Sequence, residues 1–146
     1  MKIRLWSVAA APSACPVDVV FVVDESGSIG TDDFDLMKRF LYELIGYLDV
    51  DSGNTRVGLV TYSDSVTESF YLNDYSTITL VQSAVLSLGY SGGSTDTAGA
   101  LEYVRTTMLT SATGDRSNVP NVVAVLTDGN SNEPADTQVR RMHCML

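Results

Sequence analysis

Histidine and cysteine are nearly missing from this chain of 146 residues, which has one histidine, His143, and two cysteines, Cys15 and Cys144. A structural zinc cluster needs about four closely spaced Cys or His ligands, and a Ser-His-Asp nucleophile needs a well-placed histidine, so both chemistries lack their parts. Cys15 and Cys144 leave a disulfide and two free thiols equally open. Basic residues are also scarce: 9 Lys and Arg stand against 18 Asp and Glu, a net charge of −9. Such a balance repels phosphate backbones and anionic lipid surfaces, and Arg140, Arg141 and His143 form too short a basic group to reverse it. No apolar run approaches the ~18 residues of a membrane-spanning helix.

What is present suits one folded unit. The hydrophobic fraction is 45% and the charged fraction 18%, and a chain of this size can bury well over half of its unfolded surface in a single core. Residues 1–14 carry Lys2, Arg4 and a short apolar stretch, and read as an N-terminal segment with a weak secretion signal. Residues 15–146 read as the domain.

Residues 17–23 are apolar except for Asp18 and rich in valine, the pattern of a strand buried on both faces. Phe34, Met37, Phe40, Leu41, Leu44, Ile45 and Leu48 then fall on one helical face, with Thr31 or Asp32 expected as the N-cap. Residues 56–62 and 66–71 predict two strands joined through Ser63, Asp64 and Ser65, a connection so short that they must run antiparallel. Ile78, Val81, Val85 and Leu88 mark a second helix, and Thr97, Leu101, Val104 and Met108 a third, with the glycine-rich segment 89–94 between them. Residues 122–126 make a last strand, and Pro134 opens a last helix with a face of Ala135, Val139, Met142 and Leu146. The alternation predicts an α/β doubly wound fold with a mostly parallel central sheet and one antiparallel edge strand.

In such sheets ligands bind beyond the carboxyl ends of the central strands. Three polar clusters fall there: Asp24-Glu25-Ser26-Gly27-Ser28, Gly93-Ser94-Thr95-Asp96-Thr97, and Asp128. Carboxylates and hydroxyls without Cys or His are the donors of a hard divalent cation, Mg²⁺ or Mn²⁺. Taken singly each cluster has a plain reading, as a solvated turn, a helix entry capped by Ser94 or Thr95, and a β-turn. Together they nominate Asp24, Ser26, Ser28, Thr95 and Asp128 as one metal site.

Asp24-x-Ser26-x-Ser28, Gly92-Gly93-x-Thr95-x-Thr97 and Leu126-Thr127-Asp128-Gly129 resemble the metal-ion-dependent adhesion site of von Willebrand factor type A domains. The stretch from Asp24 to Gly30 is most similar to the domains of matrilins and non-fibrillar collagens. The resemblance implies that Ser26, Ser28 and Thr95 contact the ion through their hydroxyls, with Asp24 and Asp128 acting directly or through water. It also implies an extracellular adhesion module whose open coordination position takes a Glu or Asp carboxylate of a matrix or cell-surface protein, collagen-like ones included. The family continues after the Asp128 loop with helices and strands that this chain lacks. A C-terminally incomplete domain with an apolar edge at residues 122–126 is therefore expected.

Two other readings compete. One is a structural matrix-assembly domain with an incidental metal site. The other is a serine hydrolase, because Gly89-Tyr90-Ser91-Gly92-Gly93 matches Gly-x-Ser-x-Gly. That motif works only between a strand and a helix, whereas Ser91 follows a helical segment, so a non-enzymatic module is expected.

Overall fold

The computed structural model describes residues 15–128. Four strands, β1 (Val17–Asp24), β2 (Thr55–Tyr62), β3 (Val66–Phe70) and β4 (Asn121–Leu126), form one sheet in the order β3-β2-β1-β4. β1 runs parallel to both β2 and β4, and β2 and β3 form the antiparallel hairpin at one edge. Among the described residues three α-helices accompany the sheet: α1 (Gly30–Ile45), α2 (Ile78–Leu86) and α3 (Thr97–Tyr103). No described helix is long and apolar enough to cross a membrane. The expected N-terminal signal, the last helix from Pro134, and Cys144 lie outside the described residues.

The near-continuous apolar run of β1 divides between two cores because successive strand side chains point to opposite faces. Val19, Phe21 and Val23 pack with Phe34, Met37, Leu41 and Ile45 of α1 and Val81 and Val85 of α2. Val20 and Val22 pack with Val60, Tyr62, Ala100, Val104 and Met108 on the other side. The result is a three-layer α/β unit with β1 at its centre. Among the described residues β4 is the outer strand beyond β1, with Val122 37% exposed and Leu126 buried.

Two helix details differ from expectation. α1 opens at Gly30, which has φ +73°, and its N-cap is Ile29 with no side-chain cap, so neither Thr31 nor Asp32 serves that role. Glycine occupies left-handed φ at little cost, and the chain turns into the helix there before either polar residue is reached. The third helical pattern also does not continue as one α-helix to Met108. Residues Val104–Met108 form a wider turn in which the Leu109 N–H donates to the Val104 carbonyl at 2.9 Å.

The amino ends of the parallel strands are fastened by an ion pair. Asp18, fully buried on β1, accepts from the Arg116 guanidinium at 2.6 and 2.9 Å and from its backbone N–H at 3.0 Å. The same guanidinium donates to the carbonyls of Gly53, Asn54 and Val17 at 2.9, 2.9 and 3.1 Å. One planar cation thus ties the loop before β4 to β1 and to the loop before β2, a geometry that suits arginine rather than lysine. Removing one partner of a buried pair strands the other, so Arg116→Ala should cost about 3 kcal/mol in urea unfolding, and Arg116→Lys should recover little of it. An unchanged midpoint in Arg116→Ala would show that the pair is only incidental to the fold.

Candidate functional site

Because β1, β2 and β4 are parallel and in register, their carboxyl ends meet on one rim. Asp24 is paired with Tyr62, and Val23 with Leu126, so Thr127 follows beside Asp24, with Asp128 next along the chain. Asp24 is fully buried. Its Oδ1 accepts from the Ser26 N–H at 2.9 Å and its Oδ2 from the Thr127 hydroxyl at 2.7 Å. Both oxygens are therefore held in place, and each keeps a further lone pair.

The first bond folds the Asp24-x-Ser26-x-Ser28 segment into a tight loop, which brings the Ser26 and Ser28 hydroxyls to 3.1 Å. Ser26 is buried and Ser28 exposed, so this oxygen pair sits at the mouth of the rim rather than inside the core. A second loop, residues 89–96, is attached to the first at three points. The Gly27 N–H donates to the Gly93 carbonyl at 2.8 Å, the Tyr90 hydroxyl to the Ser26 carbonyl at 3.2 Å, and the Ser91 N–H to Glu25 Oε2 at 3.2 Å. Tyr90 also packs its ring against Phe34, with centroids 5.6 Å apart.

That second loop is anchored to the β2–β3 turn as well. Asp64 Oδ1 accepts from the Ser94 N–H at 3.1 Å, and the Ser63 carbonyl accepts from the Asp96 N–H at 2.8 Å. Gly93 has φ +107°, a conformation that favours glycine, and a Cβ there would lie 2.7 Å from Asp64 Oδ2, so a side chain would also have to displace that carboxylate. Thr95 follows, 5% exposed. The helix entry is capped by Asp96, whose Oδ1 accepts from the Gly99 N–H at 2.9 Å, and not by Ser94 or Thr95. Thr95 is thereby left out of the capping role, and its loop is tied on either side of it, Gly93 to Gly27 and Asp96 to Ser63.

The buried phenol of Tyr62 feels the charges of both Asp24 and Asp128. Its pKa is pushed up to about 12, chiefly by burial and further by the charges of Asp24 and Asp128, against the opposing hydrogen bonds to Thr97 and Thr127. The Tyr62 and Thr97 hydroxyls are 3.0 Å apart. A phenol that stays neutral is a dipole able to bond its neighbours without adding charge between two carboxylates.

The structure thus joins Asp24, Ser26 and Ser28 by direct bonds, and the Gly27–Gly93 bond links their loop to the one that carries Thr95, while Asp128 follows Thr127, whose hydroxyl bonds to Asp24. Among the described residues no three Asp, Glu, His or Cys side chains gather into a metal cluster. A cation here would rest on hydroxyls as much as on carboxylates, and such a donor set fits a hard oxygen-seeking ion. Thr127, Tyr62, Glu25 and Tyr90 support the site without having been nominated for it. Of these, Thr127 and Glu25 had a sequence cue, their places beside Asp128 and Asp24. Ser91 lies in a loop between α2 and α3, so the Gly-x-Ser-x-Gly match has none of the strand-to-helix setting of a nucleophile elbow.

Comparison with known proteins agrees with this architecture. The family model for the von Willebrand factor type A domain matches residues 18–144. The chain is 41% identical over 126 residues to the mouse (Mus musculus) collagen alpha-4(VI) chain, covering 85% of this chain and 6% of that protein. It is 34% identical over 130 residues to chicken (Gallus gallus) matrilin-1, covering 89% of this chain and 26% of the relative. The chain therefore spans a small part of the relatives that it matches. Proximal thread matrix protein 1 from the mussel byssus, solved with a zinc-occupied MIDAS motif, superposes with a TM-score of 0.74 at 26% identity, covering 81% of this chain and 32% of that one. Motif order, sheet topology and these matches agree, and the chain belongs to the von Willebrand factor type A domain family.

Proposed function

We propose that this domain is an extracellular adhesion module that holds Mg²⁺ or Mn²⁺ with Asp24, Ser26, Ser28, Thr95 and Asp128 and uses it to capture a Glu or Asp carboxylate of a matrix or cell-surface protein. The observation that carries the reading is the hydroxyl pair of Ser26 and Ser28, 3.1 Å apart at the open rim, with the Asp24 carboxylate fixed beneath it. When bound, a dication among mostly neutral hydroxyl donors supplies residual positive charge for an outside anion. The residues themselves do the rest. Ser26 and Ser28 are spaced by the Asp24 turn, Thr95 is delivered by the glycine loop, and Asp24 and Asp128 supply negative charge. The matrix proteins among the relatives, and the zinc-occupied motif of the mussel protein, support the same reading.

No hydrolytic or transfer chemistry is assigned to the site, and a catalytic role for Ser91 is not part of the proposal. The matrix character of the relatives equally favours a second reading, in which the domain serves assembly and the ion is incidental.

Calorimetric titration with Mg²⁺ and with Mn²⁺ should show a single binding event, weakened at least about tenfold in Thr95→Ala with an unchanged circular dichroism spectrum. Equal affinities in the two proteins would remove Thr95 from the site. Adhesion to a matrix-coated surface should be abolished by a chelator and by Ser28→Ala, which alters an exposed hydroxyl without touching the core. Adhesion that persists in the chelator would favour the assembly reading. Asp24→Ala is a poorer test, because it also deprives the Ser26 N–H and the Thr127 hydroxyl of their acceptor.

A further inference from the structure

Glu25 lies between two of the proposed ligands and is not one of them. Its side chain is 1% exposed. Oε2 accepts a single bond, from the Ser91 N–H at 3.2 Å, and Oε1 is buried with no hydrogen-bond partner. The ion pairs among the described residues are Lys38 with Asp35, Arg105 with Glu102 and Arg116 with Asp18, and none of them includes Glu25. A buried carboxyl in this state is costly to the fold that contains it.

The position is nevertheless built. The Glu25 N–H donates to the Tyr62 carbonyl at 2.9 Å, which fixes the residue at the carboxyl end of β1. Asp24 and Ser26, its chain neighbours, are fixed by the bonds already described, and the Ser91 bond links Glu25 to the loop that carries Thr95. The one positive charge that the site is expected to receive would therefore arrive within two residues of Glu25.

We propose that Glu25 is a positioning residue and buried counter-charge of the cation site, holding the 89–96 loop through Ser91 and offset electrostatically by the ion without ligating it. This rests on the reading that the site binds a cation. The consequence is a division between two measurable quantities. In the ion-free protein the Glu25 charge opposes folding, so removing it should not lower stability. In the ion-bound protein the same charge favours the cation, so removing it should weaken binding.

The test compares the full chain with Glu25→Gln and Glu25→Asp, using Mn²⁺ as the probe. Glu25→Gln keeps an acceptor for the Ser91 N–H and deletes the charge. Its thermal midpoint in a chelator should equal or exceed that of the parent, while its Mn²⁺ affinity falls about tenfold and the midpoint shift caused by Mn²⁺ shrinks. Glu25→Asp keeps the charge, and its Mn²⁺ affinity should stay within about threefold of the parent's.

Unchanged affinity in Glu25→Gln overturns the proposal while leaving the metal site intact. A lowered chelator midpoint in Glu25→Gln, or its failure to fold without the ion, would assign Glu25 a purely structural role and overturn it too. So would a loss of affinity in Glu25→Asp as large as that expected in Glu25→Gln. If the parent itself takes up no Mn²⁺, the site reading fails and this inference goes with it.

Discussion

At the end of the central strand Asp24 is fully buried, and a buried carboxylate is costly unless its oxygens find donors. Here they find two, the Ser26 N–H at 2.9 Å and the Thr127 hydroxyl at 2.7 Å. The first bends the chain after β1 so that alternate side chains share one side. The second ties the end of β4 to the end of β1. Without both bonds the Ser26–Ser28 turn and the end of β4 would lose their tie to the end of β1, and the glycine loop would have nothing fixed to lean on.

The two ends of the parallel sheet solve different problems with similar means. At the amino end, Asp18 meets Arg116 and the charges offset each other within the protein. At the carboxyl end, Asp24 and Glu25 are both buried, and the phenol of Tyr62, which feels the charges of Asp24 and Asp128, is kept neutral. Negative charge there is arranged by neutral donors, namely backbone N–H groups and the Thr127 hydroxyl. The lower end is a closed staple; at the upper end, Asp24 and Glu25 enter none of the ion pairs of the described residues.

Much of the framework was legible because it depends on local patterns. The valine-rich run of β1 implied burial on both faces, and the structure divides it between two cores. The spacing of Phe34, Met37, Leu41 and Ile45 gave the buried face of α1, and the three-residue link at Ser63, Asp64 and Ser65 required the antiparallel edge. What was not legible depends on contacts distant in sequence or on backbone conformation. Arg116 reaches Asp18 across 98 residues, and nothing in either neighbourhood announces the pair. Gly30 starts α1 through its positive φ, pre-empting the polar residues that a capping pattern selects. Glu25 looked like a solvated turn residue, yet the loop at Ser91 covers it. The candidate ligands were chosen by donor chemistry and motif order, and hydrogen bonds link the loops that carry Ser26, Ser28 and Thr95.

Crystals grown in Mn²⁺ and measured at its absorption edge would test the shared site most directly. One anomalous peak is expected at the rim, bounded by the hydroxyls of Ser26, Ser28 and Thr95 and flanked by Asp24 and Asp128. A peak elsewhere on the acidic surface, or none at the rim under saturating Mn²⁺, would contradict the convergence of these three loops on one ion.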